Sequence, residues 1–555
     1  MNQSSFKVTI QGRSITLDKK TKILDLIQGD KKEFIYCKVN NILRELTYEV
    51  FYDADIVLLT KKDHDSGKVY ETSLRYIVAM AANNVFPNTP IKFTYNISRS
   101  IFMVFPTDPN GKPPFRINSE LCNKLKDEID RIIAADYPFK RKIVTNEEAK
   151  EIYQKYNLLD KIEILKYRPE KTVHLYECNG YLNYMYGHMV PSTGHIKDYK
   201  LMVYGHGILI QYPRSETNGE IPPFVDAPVF SKTLRDSYTW AKQVKTDSVA
   251  SINKFALEDG PIDFINMCEQ HHNNMLAELG QLIGSNSDSI RLICIAGPSS
   301  SGKTTFANRL RTELLSLGLR PIRISLDNYY LPKEKVPLGE DGKPDFECLE
   351  SLNIELINKN ILDLIDGQPV ALPVYDFKTG GTSFKDPIVI EANQPIIIEG
   401  IHALNEKLTS QIPTHQKFRI FIAPQAQVNV DNTNPISLTD LRLVRRIVRD
   451  YQFRNSSAEE TLSMWHNVRE GEFKWIYDTQ ENADYVFNSL LPCELCINKK
   501  YALPLLTAIP KDSIYYTRAN RLIKFLKLFV DMDDSWVPCN SILREFIGGS
   551  CFQDV

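Results

Sequence analysis

Apolar and polar positions alternate differently in successive parts of the chain. Residues 6–60 predict a small mixed sheet, with strands at 6–10, 15–17, 34–39 and 56–60 and one helix at 21–27. The polar stretch 61–67 is interpreted as a solvated connector. Between 70 and 225, helices at 74–84 and 118–135 mix with strands at 173–176 and 208–212, which indicates an α+β unit.

The pattern after residue 225 becomes helical and then alternates between strand and helix. Residues 228–284 have helical spacing, and apolar strands follow at 291–296, 321–326, 394–398 and 417–423. Strands separated by helices are typical of a parallel α/β sheet. We therefore predict a mixed-sheet domain (1–65), an α+β domain (66–225), a helical connector (226–288), a parallel α/β domain (289–500) and a C-terminal helical extension (501–555).

Composition narrows the class of protein. Apolar residues make up 43% and charged residues 25% of the 555 positions, which excludes a disordered or fibrous chain. The net charge of −2 argues against strong binding to RNA. Ten cysteines without framework spacing indicate a reduced protein. With neither an apolar leader at the start nor a run near the ~20 residues of a membrane span, we expect a cytoplasmic protein without a membrane partner.

One motif carries phosphate chemistry. The strand 291–296 runs into a G-x-x-x-x-G-K-[ST] loop and then into a helix. Backbone amides at the start of that helix can bind phosphates, Lys303 adds a charge for the outer phosphates, and the Thr304 hydroxyl can ligate Mg²⁺. We therefore predict a nucleotide-binding loop made of Gly297, Pro298, Ser299, Ser300, Ser301, Gly302, Lys303, Thr304 and Thr305.

Two acidic residues follow later strands of the same unit. Asp327 comes at the end of the predicted strand 321–326, where it could take a proton from an acceptor hydroxyl or merely cap the next helix. Glu399 ends the strand 394–398, where it could hold Mg²⁺ through water or be a solvated strand end. The functional interpretation is preferred for both.

Four arginines share one face of a predicted helix. They are Arg442, Arg445, Arg446 and Arg449, with Arg454 just beyond. Stacked like charges repel each other unless an anion neutralises them, so we favour a phosphate-clamping lid over a solvated face.

Residues 290–500 resemble the uridine kinase/phosphoribulokinase family of P-loop kinases. The loop 297–304 and the segments 325–330, 373–377, 398–401 and 440–450 carry the resemblance. It implies transfer of a phosphoryl group from MgATP to a primary hydroxyl, commonly the nucleoside 5′-hydroxyl. It further implies Asp327 as catalytic base, with Lys303, Arg449 and Arg454 also catalytic, Thr304 and Glu399 at the metal, and substrate contacts from Tyr330, Asp345 or Glu347, Tyr375, Phe377 and Arg446.

The chain departs from that family pattern at two places. Uridine kinases usually carry a histidine shortly after the element that corresponds to 375–377, and this histidine contacts the pyrimidine. Here no histidine stands shortly after 377, and the lid lacks one arginine after Arg454. We therefore expect an ATP-dependent nucleoside kinase. Its acceptor could be uridine or cytidine or a broader range of nucleosides, and the base preference stays open. The alternatives are a nucleotide-switched RNA-binding or regulatory protein and a same-fold kinase acting on a phosphosugar or other small alcohol.

The N-terminal half resembles parts of threonyl-tRNA synthetases. Residues 6–60 resemble a TGS domain, a β-grasp module, and 70–225 resemble the second additional domain of those enzymes. In that domain two histidines and a later Cys–His pair form an editing site, and the corresponding positions here are Thr72, Tyr76, Met185 and Met189. The resemblance implies that metal-dependent editing is lost and that the module is a binding or regulatory scaffold.

The expected fold class is thus multidomain α/β: a P-loop NTPase domain with a doubly wound parallel sheet, preceded by a β-grasp domain and an α+β synthetase-like domain. Two other clusters are weighed and set aside: the histidines around 174–206 have no structural-zinc spacing, and Cys493 with Cys496 is interpreted as buried packing. A homo-oligomer stays open.

Overall fold

The computed structural model describes residues 5–107, 112–339, 342, 344–376, 379–391, 393–425 and 428–553. It confirms a multidomain α/β chain, with mixed and antiparallel sheets in the N-terminal half and a parallel sheet in the C-terminal half. No helix in these ranges is long and apolar enough to cross a membrane.

The first domain is a small sheet around alternating apolar residues. Its strand order is β2-β1-β7-β4-β5, and β1 and β7 are parallel whereas the other pairs are antiparallel. Val8 and Ile10 on β1 are fully buried, as the alternation requires. The helix expected over 21–27 is a single turn. The elements are β1 (Phe6–Ile10), β2 (Arg13–Leu17), β3 (Thr21–Lys22), α1 (Ile23–Leu26), β4 (Phe34–Val39), β5 (Ile42–Arg44), β6 (Glu49–Val50) and β7 (Ala54–Thr60).

The second domain packs helices against two antiparallel sheets, ordered β10-β11-β12 and β13-β14-β9-β8. Its first helix starts at His64, so the expectation of a connector over 61–67 is wrong for its second half; polar residues there form the first turn of a helix. The elements are α2 (His64–Val85), β8 (Lys92–Ile97), β9 (Ser100–Val104), α3 (Ser119–Ala134), β10 (Lys140–Thr145), α4 (Asn146–Lys155), α5 (Leu159–Leu165), β11 (Thr172–Cys178), β12 (Tyr181–Tyr184), β13 (Lys200–Tyr204) and β14 (Gly207–Gln211).

Three helices lead to the third domain: α6 (Pro228–Gln243), α7 (Val249–Lys254), which continues into a π-helical turn, and α8 (Pro261–Gly284). The last of them packs against the helix that follows the phosphate-binding loop, since Arg309 on that helix forms an ion pair with Glu269 of α8 at 3.2 Å.

The third domain is built on a five-stranded parallel sheet ordered β16-β19-β15-β20-β23. Strand β16 ends at Ser325, so Asp327 does not end the strand as expected but lies in the 3₁₀ turn Leu326–Tyr329. The elements are β15 (Leu292–Ala296), α9 (Lys303–Ser316), β16 (Ile322–Ser325), α10 (Ile354–Ile365), β17 (Pro373–Asp376), β18 (Gly381–Phe384), β19 (Ile396–Glu399), β20 (Lys417–Ala423), β21 (Asn429–Asp431), β22 (Asn434–Pro435), α11 (Leu438–Phe453), α12 (Ala458–Gly471), β23 (Tyr485–Asn488) and α13 (Glu494–Thr507).

The C-terminal residues are less helical than expected. Helix α13 crosses the boundary drawn at 500, and beyond it only α14 (Tyr516–Leu526) and the short α15 (Arg544–Ile547) are helical within the described residues. Helix α14 touches the first domain, because the Leu43 backbone N–H points at Thr517 Oγ1. Helix α15 returns to the third domain and packs against α11, where Gln452 Nε2 donates to the Ile547 carbonyl at 3.0 Å.

A hairpin of the third domain, β21–β22, is inserted into the second. Lys161 Nζ lies 2.7 Å from Asp431 Oδ1, and the two side chains are 1% and 0% exposed. The Phe93 N–H donates to the Asn432 carbonyl at 2.9 Å, and Arg75 donates to the Thr433 carbonyl. The hairpin leads directly into α11, so the second domain holds the start of the arginine-bearing helix.

Candidate active site

The phosphate-binding loop lies between β15 and α9, and its glycines are required by geometry. Gly302 precedes the helix with φ 90°, a conformation that side chains disfavour. A Cβ atom on Gly297 would lie 2.0 Å from the Ile422 carbonyl oxygen of the neighbouring strand. These positions let the loop curl tightly and direct the first amides of α9 toward a ligand.

Lys303 lies at the centre of the site. Its Nζ donates to the carbonyls of Gly297 at 3.0 Å and Pro298 at 3.3 Å. Desolvation lowers the pKa of Lys303, whereas the carboxylates of Glu399 and Asp327 oppose that shift. The structure therefore brings Lys303 together with both acidic residues that the sequence singled out.

Buried hydroxyls line the same loop. The Oγ atoms of Ser300 and Ser301 and the Oγ1 atom of Thr305 are buried and bond to no protein group in the described part of the chain. Orphaned polar atoms of this kind are rare in folded proteins, because each costs about 1–3 kcal/mol unless a ligand or water satisfies it. They are consistent with a loop that binds a polar ligand.

Asp327 and Glu399 approach the loop from the two adjacent strands. Burial, followed by the charge of Asp327, raises the pKa of Glu399, and Arg323 lies 3.6 Å from Glu399 Oε1. The Glu399 carboxylate and the Thr304 hydroxyl are oxygen donors, the type that Mg²⁺ prefers. The residues present therefore fit a magnesium site.

An aromatic and acidic wall adjoins Asp327. The Tyr330 ring centroid lies 5.8 Å from that of Tyr375 and 5.6 Å from that of Phe346. Burial raises the pKa of Glu347 and the nearby charge of Asp327 adds to the rise, whereas the positive charges of Arg446 and Lys303 oppose it. Asp345 instead accepts the Glu347 backbone N–H at 3.0 Å, and Phe377 lies outside the described residues.

Three arginines of the α11 region converge on one buried carboxylate. Asp450 lies 3.2 Å from Arg446, 2.8 Å from Arg449 and 3.7 Å from Arg454. Arg446 also donates to Ser299 Oγ at 2.8 Å, and the Arg454 side chain is 55% exposed. Three positive charges on one carboxylate leave a net positive surface beside the loop.

Arg442 and Arg445 do not belong to that surface, and the expectation of a lid made by all four stacked arginines is wrong for these two. Arg442 pairs with Glu472, and Arg445 Nη2 lies 2.6 Å from Glu494 Oε2. Both also donate to loop carbonyls, of Ser299 at 3.1 Å and Ser300 at 3.3 Å. The buried glutamates neutralise the charges of the two arginines, and the arginines support the loop through its backbone carbonyls.

Sequence reasoning missed one acidic residue at the loop, Glu545. The Thr305 backbone N–H donates to Glu545 Oε2 at 3.0 Å across 240 residues of chain. No local pattern indicates this contact, because it depends on the path of the C-terminal segment. Glu472 and Glu494 were missed because they lie 30 and 49 residues away from the arginines that they pair with.

The positions aligned with the synthetase editing site form a packed core. Tyr76, Met185 and Met189 are buried in one cluster, and a Cβ atom on Gly187 would lie 3.4 Å from Thr72 Oγ1. Tyr76 donates to the carbonyls of Tyr181 and Tyr176 at 2.8 and 3.1 Å. These four positions therefore lie in a packed part of the second domain.

Comparison with known proteins separates the two halves of the chain. Residues 292–495 match the phosphoribulokinase/uridine kinase family. A uridine kinase from Ureaplasma parvum is 30% identical over 183 residues, which are 33% of this chain and 80% of that protein. A threonine–tRNA ligase from Desulforamulus reducens is 31% identical over 176 residues of the N-terminal region, 32% of this chain, and only 27% of the ligase is spanned.

Among solved structures, a D-glycerate 3-kinase from Cryptococcus neoformans is 16% identical, with 46% of this chain and 88% of that chain covered and a TM-score of 0.21. So low a score supports no comparison of overall folds. The phosphate-binding loop, the parallel sheet and the family match define a P-loop kinase domain. The chain belongs to the phosphoribulokinase/uridine kinase family, and its N-terminal region is similar to threonine–tRNA ligase.

Proposed function

We propose that the protein is an ATP-dependent kinase that transfers the γ-phosphoryl group to a nucleoside 5′-hydroxyl. The observation that carries the proposal is the meeting of Lys303, Asp327 and Glu399 at the phosphate-binding loop. Ligands of parallel sheets bind at the carboxyl ends of the strands, which is where these residues lie. The family match supports kinase chemistry, and the nucleoside acceptor is our inference.

On the ATP side, residues of the loop and of α9 bind the phosphates. The amides that begin α9 and the Lys303 ammonium neutralise the β- and γ-phosphates. Thr304 and Glu399 would hold Mg²⁺, which would supply charge neutralisation to the transferring group. Arg449 and Arg454 lie on the positive surface beside the loop and stabilise negative charge that develops on that group.

On the acceptor side, Asp327 takes the proton of the attacking hydroxyl. Tyr330 and Tyr375 offer aromatic faces for a base, and Glu347, close to Asp327, offers an acceptor for ribose hydroxyls. Arg446 opposes the rise that burial causes in the pKa of Glu347, and it donates a hydrogen bond to Ser299 Oγ of the loop. In this proposal the acceptor lies between Asp327 and the phosphates of ATP.

The N-terminal half acts in this proposal as a TGS-like and synthetase-like scaffold. Its buried contacts to the β21–β22 hairpin fix the start of α11, on which Arg446 and Arg449 lie. The packed core around Tyr76 supports loss of metal-dependent editing there.

The test is transfer of labelled γ-phosphate from MgATP to a panel of nucleosides, phosphosugars and water. We expect transfer to a nucleoside 5′-hydroxyl, loss of transfer on chelation of Mg²⁺, loss in Lys303→Ala, and full activity in Lys407→Ala, which changes an exposed lysine of the same domain. Transfer to a phosphosugar alone would replace the nucleoside by that acceptor. Nucleotide binding without transfer to any acceptor would contradict the proposal.

A further inference from the structure

The C-terminal segment 539–551 rests on the phosphate-binding loop. The Glu545 carboxylate accepts the Thr305 N–H at 3.0 Å and is 9% exposed. Ile542 packs so closely that a Cβ atom on Gly302 would lie 2.5 Å from its Cγ2 atom. The segment also covers α11, where the Arg445 guanidinium lies 5.0 Å from the Phe546 ring.

Glu545 uses a donor that the loop needs for phosphate. The Thr305 amide lies in the first turn of α9, where amides have no partner within the helix. Amides at this position are the donors that bind nucleotide phosphates. A carboxylate bonded to that N–H excludes a phosphate oxygen from it, and its negative charge repels the other phosphates. ATP and Glu545 therefore compete for the same end of the helix.

Two cysteines lie next to each other at the two ends of this segment. The Cys551 N–H donates to the Cys539 carbonyl at 3.0 Å, and desolvation together with a hydrogen bond to the Cys539 thiol raises the pKa of the Cys551 thiol. Both cysteines are exposed, whereas the other eight cysteines of the chain are buried. A soluble oxidant can therefore reach these two thiols, whereas burial shields the other eight.

We propose that Cys539 and Cys551 are a redox modification site, at which disulfide formation ties segment 539–551 into a loop that keeps Glu545 on Thr305 and weakens ATP binding. The inference rests on the proposed function insofar as ATP is taken to bind at this loop. The bond restricts the conformations open to a displaced segment, so it favours the docked one. Disulfides of this reversible type are the form found in reducing compartments.

The oxidant is a low-molecular-weight disulfide such as oxidised glutathione. The thiolate of one cysteine attacks it and expels one glutathione thiolate, and the second cysteine thiolate then attacks the protein sulfur of the mixed disulfide and expels the other. The cysteines lose two protons and two electrons, and both pass to the two glutathione molecules. Reduced thiol reverses the reaction.

The experiment measures the Kd of MgATP for the full-length protein, reduced or treated with oxidised glutathione, without an acceptor. Peptide mass spectrometry checks that the 539–551 disulfide has formed. We expect oxidation to raise the Kd about five- to a hundred-fold. The double variant Cys539→Ser/Cys551→Ser, which has no exposed thiol, should show no such rise.

Glu545→Gln removes the negative charge that competes with phosphate for the Thr305 amide. It should bind ATP more tightly than the wild type when reduced and lose most of the oxidation effect, whereas Glu391→Gln, an exposed glutamate of the same domain, should behave as the wild type. Absence of the disulfide, or a disulfide that leaves the Kd unchanged, would overturn the inference alone. Absence of ATP binding in the wild type and in Glu545→Gln would overturn the proposed function with it.

Discussion

The phosphate-binding loop and the core of the synthetase-like domain differ in how their buried polar groups are satisfied. At the loop, Lys303, Asp327 and Glu399 meet beside hydroxyls that have no hydrogen-bond partner among the described residues. In the synthetase-like core, Tyr76 and Met189 belong to one buried cluster, and the Tyr76 hydroxyl is satisfied by two backbone carbonyls. One region keeps polar groups available for a ligand, and the other satisfies its polar groups within the protein.

The two halves of the chain contribute different properties to the protein. Polar contacts of the second domain are directed not to a cavity but to the β21–β22 hairpin of the kinase domain, through Lys161 and Arg75. A site that is packed shut contributes stability and position, whereas a site with orphaned polar groups contributes chemistry. Changes in the two regions should therefore affect different measurements.

The largest contrast is expected between Lys303→Ala and Tyr76→Phe. The first removes the cation at the phosphates and should lower kcat/KM by about 10³-fold. The second leaves all groups of the loop in place and should change kcat/KM less than about twofold. Steady-state kinetics with MgATP checks both, and a similar loss in the two variants would remove the distinction between the regions.

Breaking the ion pair between Lys161 and Asp431, which links the second domain to the β21–β22 hairpin, should lower the stability of the protein and leave the groups at the phosphate-binding loop in place. Lys161→Met leaves the fully buried Asp431 without its counter-charge, and we expect a loss of about 3–5 kcal/mol in the free energy of unfolding. Lys166→Met is the matched control, since its pair with Glu163 is exposed. Urea denaturation measures both, and equal midpoints would show that the hairpin is not held by this pair.

Acid should destabilise both regions through buried neutral histidines. Burial lowers the pKa of His188 to about 3 and that of His272 well below its ordinary value of 6.5. Below pH 6.5 the unfolded chain binds protons that the folded chain does not, so stability falls as the pH falls toward the folded-state pKa. For the fully buried His272 the loss is about 1 kcal/mol for each pH unit.

The thermal midpoint at pH 7.5 and at pH 5.5 tests this prediction. The wild type should unfold at a lower temperature at pH 5.5, and His272→Gln should lose part of that dependence because it has no proton to gain. A midpoint that is independent of pH in this range would show that these histidines are not held neutral.

The smallest expected effect is that of Tyr76→Phe on stability. The hydroxyl donates to backbone carbonyls inside the core, and its removal should cost about 1 kcal/mol. Urea denaturation with Tyr451→Phe as an exposed control measures the difference. A cost no greater than that of the control would mean that the hydroxyl is not part of the packing described here.

Local patterns predicted the kinase domain better than its site. The strand 291–296 and the loop–helix that follows are one continuous segment, so spacing alone predicts them, and the structure has the strand at Leu292–Ala296. Arg442 and Arg445 were misassigned because their partners, Glu472 and Glu494, lie 30 and 49 residues away. Glu545 and the β21–β22 hairpin could not be predicted, since their contacts depend on how whole domains pack.

In the proposed reaction, Asp327 is the base that takes the proton of the acceptor hydroxyl. The direct measurement is kcat of Asp327→Asn with the nucleoside acceptor, together with its Kd for MgATP. We predict that kcat falls about 10²- to 10⁴-fold while the Kd stays within a few-fold, because the amide keeps the shape of the carboxylate but takes no proton. A variant that retains full turnover would contradict the assignment of this site as the centre of phosphoryl transfer.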